Sequence, residues 1–437
     1  MRQPNEEDAV TTPTPSASYS TADPVLLVSG DSHVGPLLET QLREYCPTRY
    51  RDEFDEFARS PFVAANRAAL GGGSRVNSKT AGHYDVDARL ADMDSDGIAA
   101  ELIFHDSFNG EPFPLRDGGW PDPADPELAA VGFQIYNRWL ADFCAAAPER
   151  LIGLPHLPMW DLDAAISELR WAADHGFRGV NFPGTRPGWP HYNEPVWEPF
   201  WSAAENAGMV LTTHAGGGVD PAATEVFAAA AALMLIEAGG TLNRRVIPRM
   251  IIGGVFERHP GLKVVMTEQP GVWVPNLLTE MDSAVLSLPQ RQGGRPLPKP
   301  PSEYFMTNIF VGASFMSPLE AESAVRDGYW ANLFWGRDYP PPEGTWKYSE
   351  DRAAEPMTHL SLRHAFAGIP EDKVRALVGE NAVSVYGLDR EKLSVIAGKI
   401  GPVLEQITAP LESVPRSESP EREGMGLCAF RTVGAWG

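Results

Sequence analysis

Short apolar runs recur along the chain, and each is bounded by Gly, Pro or Asp. The runs are continuous and do not alternate apolar with polar residues, which is typical of parallel strands buried on both faces. We therefore predict eight parallel strands, namely "VLLVSG" (25–30), "IAAELIF" (98–104), "LIGLPHL" (151–157), "RGVNF" (178–182), "MVLTTH" (209–214), "KVVMTE" (263–268), "IFVGAS" (309–314) and "NLFWGR" (332–337).

Helical patterns lie between these runs. Residues 125–150 have apolar positions at helical spacing, and residues 161–176 begin with Asp and end with Gly, which are favoured at the two ends of a helix. Eight strands alternating with helices predict an α/β protein with the architecture of a (β/α)8 TIM barrel. The rival is a doubly wound open sheet, but the GxGxxG that usually follows its first strand is missing here.

The barrel is predicted to occupy residues 24–395, between two tails. Residues 1–23 are polar and rich in Ser, Thr and Pro, so we expect a flexible N-terminal tail. Residues 396–437 include "APLESVPRSESPEREG", whose low hydrophobicity predicts a disordered C-terminal tail. The connections 37–97 and 219–258 are too long for simple crossovers, and we interpret them as insertions, largely helical, that cover the mouth of the barrel.

Composition narrows the function classes. The net charge of −22 argues against a nucleic-acid partner, because nothing supplies a patch that neutralises phosphates. The three cysteines are scattered and form no disulfide framework, which favours the reducing cytoplasm. No run approaches the roughly 20 apolar residues of a membrane helix, and the first two dozen residues hold no apolar segment of signal-peptide length. The expected partner is a small molecule.

Polar residues stand where several predicted strands end. Asp31 and His33 follow the first strand, His214 ends the fifth, Glu268 ends the sixth, and Asp338 follows the eighth. Active sites of such barrels lie at the C-terminal ends of the strands. Imidazole and carboxylate groups bind divalent metals, and a bound metal activates water while a nearby carboxylate takes a proton. Taken singly, each residue also fits a turn or an ion pair, so the metal hypothesis depends on their shared position.

Other residues are candidates for substrate binding. His105 and His156 also lie at strand ends, and His191 lies in a loop that could reach over the pocket. Trp335 and Arg337 belong to one of two segments rich in Trp and Tyr, "WPHYNEPVWEPFW" and "FWGRDYPPPEGTWKY". These segments favour an aromatic or heterocyclic substrate with a carboxylate, although Trp and Tyr are also routine core residues.

The motifs "DSHVGP", "THAGGG", "HPGLKVVMTEQPGVWVPNLLTEMD" and "FWGRDYPPPEGTW" resemble those of the amidohydrolase superfamily, in the branch typified by aminocarboxymuconate-semialdehyde decarboxylase. The likeness spans roughly residues 25–390. It implies a (β/α)8 barrel, one divalent metal ion (zinc, manganese or iron) and a homodimer. On the matching positions, the implied ligands are Asp31, His33, His214 and Asp338, and the implied catalytic residues are Asp338, Glu268 and His214.

Two positions depart from the family pattern. Asp31 stands where a histidine is usual, which makes the ligand set harder and makes manganese or iron a more serious rival to zinc. Glu268 replaces a histidine of many members, so its role as acid/base or as a fifth ligand stays open. We expect a hydrolase that directs metal-activated water at an amide, lactone or related bond. The alternatives are a non-oxidative decarboxylase or hydratase of an aromatic or unsaturated acid and, less favoured, a non-catalytic binding protein.

Overall fold

The computed structural model describes residues 22–70, 77, 80–116, 125–184, 186, 188–214, 242–269, 271–287, 297–341, 344–349, 351, 354–415 and 430. Within these residues the chain forms short parallel strands, most of them fully buried. In chain order the strands are β1 (Leu27–Ser29), β2 (His33–Val34), β3 (Ile98–His105), β4 (Leu151–Gly153), β5 (Gly179–Asn181), β6 (Val210–Thr213), β7 (Val264–Thr267), β8 (Ile309–Ser314) and β9 (Leu333–Gly336).

Helices follow the strands and fill the long connections. In the described residues the α-helices are α1 (Arg51–Ala58), α2 (Pro61–Leu70), α3 (Val86–Asp96), α4 (Pro126–Ala145), α5 (Leu162–Asp174), α6 (Glu198–Asn206), α7 (Leu242–Arg244), α8 (Val246–Ile252), α9 (Val255–Arg258), α10 (Val274–Ser287), α11 (Pro301–Asn308), α12 (Pro318–Arg326), α13 (Met357–Phe366), α14 (Glu371–Arg375), α15 (Asn381–Tyr386), α16 (Arg390–Ile400) and α17 (Leu404–Thr408). None of these helices is long and apolar enough to cross a membrane.

The strands form two parallel sheets that meet on both sides. β1 and β2 both pair with β3 and are two halves of one first strand, while β4 pairs with the other edge of β3. The second sheet has the order β5-β6-β7-β8-β9. Parallel bridges join His156 to Asn181 and Ser32 to Tyr339, so both edges of one sheet contact the other. The α/β barrel with eight strand positions is therefore confirmed.

Two glycines allow the first and last strands to approach closely. A Cβ atom on Gly30 would lie 2.6 Å from the ring of Phe334, and one on Gly336 would lie 2.8 Å from the Cβ of Asp31. The backbone N–H of Gly30 donates to the carbonyl of Trp335 at 2.9 Å. Larger residues at either glycine would therefore push apart the seam that positions Asp31.

The C-terminal boundary predicted at residue 396 falls inside α16, so this part of the prediction needs correction. Beyond it, α17 buries Ile407 completely, and the N–H of Val25 donates to the carbonyl of Pro402 at 2.7 Å. Residues 396–408 therefore belong to the folded unit, because apolar side chains in an otherwise polar segment dock on the barrel. Residues 1–21, 416–429 and 431–437 of the predicted tails, and residues 219–241 of the 219–258 insertion, lie outside the described residues.

Four charged side chains form a buried ion network beside β3. Arg89 and Arg337 are both ion-paired with Glu101, and Arg337 also contacts Asp96 at 3.1 Å. All four are at most 4% exposed. Burial alone would raise the pKa of Glu101, but the two guanidinium groups hold it below its ordinary value. Arg337 therefore stabilises the interior, and the prediction that it binds substrate is not supported by its position.

Candidate metal centre

Four side chains meet where the first, fifth and last strand positions of the barrel end. Asp31 Oδ1 lies 3.4 Å from His33 Nε2 and 3.3 Å from His214 Nε2, and His33 Nε2 lies 3.1 Å from Asp338 Oδ1. We call Asp31, His33, His214 and Asp338 the donor cluster. Three of these residues are buried, and His214 is partly exposed. The structure thus brings together all four residues that the sequence nominated as metal ligands.

The spacing of these atoms fits a bound ion. Bonds of about 2.1 Å separate neighbouring ligand atoms by about 3.0 Å in an octahedral site and about 3.4 Å in a tetrahedral one. The measured separations of 3.1 to 3.4 Å lie in that range. Asp31 Oδ1 is also buried without a hydrogen-bond donor, which is costly unless a cation approaches it. Asp31, His33 and His214 offer ligand atoms that all lie within 4.8 Å of one another.

Surrounding groups hold these side chains in place. Ser314, at the end of β8, donates its hydroxyl to Asp31 Oδ2 at 2.5 Å, which leaves Oδ1 directed at the histidines. Arg89 of the buried ion network donates to the carbonyl of His33 at 2.6 Å, and Asn243 donates to the carbonyl of His214 at 3.1 Å. Such contacts around a metal site orient the ligands and tune affinity.

The electrostatics of the donor cluster favour a cation. Burial lowers the pKa of His214, but the charge and hydrogen bond of Asp31 and the charge of Glu268 together outweigh that effect and raise the pKa to about 9. Burial also opposes protonation of His33, whose pKa is nevertheless raised well above its ordinary value by Asp31 and Asp338. The pKa of Asp31 is lowered, since His214 and His33 overcome the effect of its burial. In the metal-free protein, protons on the histidines balance the carboxylates, and a metal ion would displace them.

The backbone is strained immediately after three neighbouring strands. Glu268, Phe315 and Asp338 follow β7, β8 and β9 and have φ values of 56°, 44° and 50°. Residues other than glycine rarely adopt this left-handed backbone conformation, and those that do are concentrated at functional sites. With this backbone conformation, Glu268 Oε2 lies 3.6 Å from His214 Nδ1, so Glu268 is next to the donor cluster without belonging to it.

A cavity of about 220 Å³ opens beside His214. His105 and His156, both nominated from the sequence, line it with their rings 6.4 Å apart. Burial, more than any neighbouring charge, lowers the pKa of both rings, that of His156 to about 3, so both are neutral at pH 7. The apolar part of the wall is mainly aromatic and includes Phe104, Phe133, Trp160 and Trp189.

Two nominated residues lie elsewhere. Trp335 is 1% exposed and packs in the main hydrophobic core, and His191 is exposed with its backbone N–H bonded to Glu194. Two lining residues that the sequence reading missed are Arg116 and Arg186. They follow β3 and β5 by 11 and 5 residues, counted from His105 and Asn181, so they do not stand at the strand ends.

Comparison with known families gives one match that covers most of the chain. The sequence profile of the amidohydrolase family matches residues 77–388. His214, Glu268 and Asp338 fall inside the matched range, and Asp31 and His33 precede it. The resemblance inferred from the sequence motifs is thereby confirmed.

The chain is similar in sequence to two decarboxylases and similar in structure to a third. The chain is 28% identical over 201 residues to gamma-resorcylate decarboxylase of Rhodococcus jostii, a match that covers 41% of this chain and 56% of the relative. It is 27% identical over 190 residues to 2-amino-3-carboxymuconate-6-semialdehyde decarboxylase of Dictyostelium discoideum, covering 43% and 48%. The matches thus span about half the length of these relatives.

The solved structure is a dihydroxybenzoic acid decarboxylase of Polaromonas with bound manganese and the inhibitor 2-nitroresorcinol. It superposes with a TM-score of 0.56 over 84% of this chain and 99% of the other, at 18% identity. This likeness supports the barrel fold.

Proposed function

The chain belongs to the amidohydrolase family, and from this premise we propose that it is a metal-dependent, non-oxidative decarboxylase of a small aromatic or unsaturated carboxylic acid. One observation carries the proposal, namely that the donor cluster adjoins a cavity with aromatic walls. The decarboxylases of Rhodococcus and Dictyostelium support the reaction type.

The proposed cofactor is one divalent ion held by the donor cluster. Two carboxylates and two imidazoles form a harder set than three histidines, which favours manganese or iron over zinc. The Polaromonas neighbour, which has manganese bound, agrees with this choice. When present, the ion supplies positive charge that holds the oxygen atoms of the substrate.

In the proposed reaction the bond between the ring carbon and the carboxylate breaks, carbon dioxide leaves, and a proton forms a new C–H bond at that carbon. A general acid must deliver the proton, and we assign this role to Glu268. The side chain of Glu268 is 18% exposed and can exchange protons with solvent. The side chain of Asp338 is only 3% exposed and contacts His33 in the donor cluster. His214 lies between Glu268 and Asp31, and it orients the acid.

Hydrolysis, the main expectation from the sequence, has less support. The same donor cluster could activate water, but the two curated relatives described above are decarboxylases. No specific observation favours hydration or a purely binding role. The homodimer and the cytoplasmic location also remain predictions, and light scattering and cell fractionation test them.

The decisive experiment measures carbon dioxide and ring product from manganese-loaded protein with gamma-resorcylate and related hydroxybenzoates, beside a panel of aryl amides and lactones. We expect carbon dioxide from at least one acid, loss of turnover after chelation, and recovery with manganese. Glu268→Gln should bind the metal normally but lose turnover, whereas the exposed control Glu303→Gln should keep it. Hydrolysis of the amides or lactones without release of carbon dioxide would refute the proposal.

A further inference from the structure

Each histidine of the donor cluster has a carboxylate beside the ring nitrogen that faces away from Asp31. His33 and His214 both direct Nε2 at Asp31 Oδ1, at 3.4 and 3.3 Å. On the other side of the rings, Asp106 Oδ2 lies 3.8 Å from His33 Nδ1, and Glu268 Oε2 lies 3.6 Å from His214 Nδ1. The same arrangement therefore occurs twice around the donor cluster, once with Asp106 and once with Glu268.

The pairing of β2 with β3 places Asp106 beside His33. Val34, which follows His33, pairs with His105, and the N–H of Asp106 donates to the carbonyl of Val34 at 3.0 Å. Asp106 Oδ1 accepts the N–H of Phe108 at 2.8 Å, in a turn that aspartate favours. Because Oδ1 is engaged in this turn, Oδ2 is the oxygen that faces the imidazole of His33.

The two facing atoms, His33 Nδ1 and Asp106 Oδ2, are both buried and have no hydrogen-bond partner. Their separation of 3.8 Å is about 1 Å longer than a normal hydrogen bond. A buried carboxylate oxygen and a buried ring nitrogen are unfavourable without partners. A small rotation of either side chain would pair them with each other.

The charge of Asp106 is directed at His33. Among the described residues, His33 is the only basic one within ion-pair distance of Asp106. His83 lies close enough to be influenced by the charge of Asp106, but burial has the larger effect and lowers the pKa of His83 to about 4. His83 is therefore neutral at pH 7 and does not compensate the carboxylate.

We propose that Asp106 is a positioning residue for the metal ion, which accepts a hydrogen bond from the Nδ1–H group of His33 and so keeps the unprotonated Nε2 directed at the ion. Histidines that bind metals commonly donate their other ring N–H to a carboxylate, which fixes the orientation of the ring and makes the ligand nitrogen more basic. The proposal rests on the metal centre of the proposed function, and it does not depend on the reaction that the ion serves.

Two substitutions of Asp106 separate this role from a structural one. Asp106→Asn can still accept the N–H of Phe108 through its amide oxygen. Its NH2 group then donates to His33 Nδ1 and favours the tautomer with the proton on Nε2, which cannot bind the ion. Asp106→Ala removes the carboxylate and the turn, and it leaves both tautomers accessible.

The two substitutions should therefore rank in opposite orders in two measurements. The affinity for Mn²⁺, measured by electron paramagnetic resonance of the free ion, should fall about a hundredfold in Asp106→Asn and about tenfold in Asp106→Ala. Urea denaturation should instead show the lower midpoint for Asp106→Ala, because only this variant loses the hydrogen bond to Phe108.

Asp282 provides a matched control between α10 and α11. Asp282 Oδ1 accepts the N–H of Ser302 at 2.9 Å, as Asp106 Oδ1 accepts that of Phe108. Asp282→Asn and Asp282→Ala should leave the affinity for Mn²⁺ unchanged. A second readout is the tautomer of His33, since proton–nitrogen NMR of zinc-loaded protein with isotope-labelled histidine should show a proton on Nδ1 in the parent and not in Asp106→Asn.

The outcomes distinguish this role from the proposed function. A larger loss of Mn²⁺ affinity in Asp106→Ala than in Asp106→Asn, unchanged affinity in both, or a proton on Nε2 of His33 in the zinc-loaded parent would overturn the positioning role and leave the metal centre in place. If the affinities follow the expected order but no acid is decarboxylated, the positioning role stands and the proposed reaction fails. Failure of the parent protein to bind Mn²⁺ would overturn both.

Discussion

The buried ion network and the donor cluster are adjacent in the barrel but differ in how their charges are compensated. In the network, Arg89 and Arg337 face Glu101 and Asp96, so two positive charges meet two negative charges without solvent. In the donor cluster, two carboxylates face two histidines whose charge depends on bound protons. Arg89 connects the regions, since it pairs with Glu101 and donates to the carbonyl of His33.

This difference distinguishes buried charges that stabilise the fold from buried charges that can bind a ligand. Guanidinium groups do not release their protons at ordinary pH, so the network is a permanent ion pair that a ligand cannot enter. Imidazoles can release protons, so a metal ion can replace them in the donor cluster. Buried polarity alone therefore does not identify the site; exchangeable charge next to a cavity does.

The largest expected effect comes from breaking the ion network. Glu101→Gln leaves Arg89 and Arg337 with one carboxylate between them, so the free energy of unfolding should fall by about 3–5 kcal/mol. Urea denaturation measures it. The control is Glu149→Gln, which breaks the exposed pair with Lys392 and should change stability little. Equal effects of the two variants would show that the network does not stabilise the fold.

A substitution in the donor cluster should change the affinity for metal more than the free energy of unfolding. Asp31→Asn removes a ligand charge, so the affinity for Mn²⁺ should fall about a hundredfold or more. Electron paramagnetic resonance of free Mn²⁺ gives the dissociation constant. The metal-free variant should lose less unfolding free energy than Glu101→Gln. Asp327→Asn, at an exposed carboxylate, serves as the control, and unchanged Mn²⁺ affinity in Asp31→Asn would rule out this site.

A buried group that stays neutral should give a third kind of response. The pKa of His156 is about 3 in the folded protein, because burial and then the charges of Arg116 and Arg186 lower it from 6.5. Between these values the unfolded chain binds a proton that the folded protein does not, so stability falls as the pH falls from 6.5 towards 3. The contribution is about 1.4 kcal/mol per pH unit.

His156→Gln should remove that part of the slope. Urea midpoints between pH 6.5 and pH 4.5 measure it, and His175→Gln, at an exposed histidine on the barrel exterior, should retain the slope of the parent protein. A slope that does not change in His156→Gln would mean that this ring is protonated in the folded protein.

The smallest effects come from a matched pair of hydroxyl deletions. Ser314 donates to Asp31 in the donor cluster at 2.5 Å, and Thr358 donates to Asp96 in the ion network at 2.6 Å. Ser314→Ala should weaken Mn²⁺ binding by up to about tenfold. Thr358→Val should lower the free energy of unfolding by about 1 kcal/mol and leave Mn²⁺ affinity unchanged. The reverse pattern would contradict the division between the two regions.

The sequence predicted the barrel and the donor cluster because both depend on local patterns. Apolar runs of strand length located every strand position, and the polar residues at their ends met at one edge, as parallel strands require. The first strand differs in detail, since it is interrupted between β1 and β2 and Asp31 occupies the gap. That interruption depends on contacts with the last strand, which periodicity does not reveal.

The predictions of substrate-binding residues fail where the position of a side chain depends on tertiary contacts and not on a local pattern. Arg337 directly precedes Asp338 and is predicted from the sequence to bind substrate, but successive side chains point to opposite sides, and its partners Asp96 and Glu101 are more than 200 residues away. Arg116 and Arg186 lie in irregular segments, where no hydrophobic periodicity indicates which way a side chain points. Their position depends on tertiary structure, and the only hint in the sequence is that one cationic residue follows β3 and another follows β5.

The left-handed backbone at Glu268, Phe315 and Asp338 has a consequence for protein engineering. Each such residue costs about 1 kcal/mol relative to a relaxed conformation, and glycine would relieve most of that cost. A screen for thermostability alone would therefore favour glycine at Glu268 and Asp338, where the change removes the carboxylates. At this edge of the barrel, selection for heat resistance and selection for turnover would drive the sequence in opposite directions.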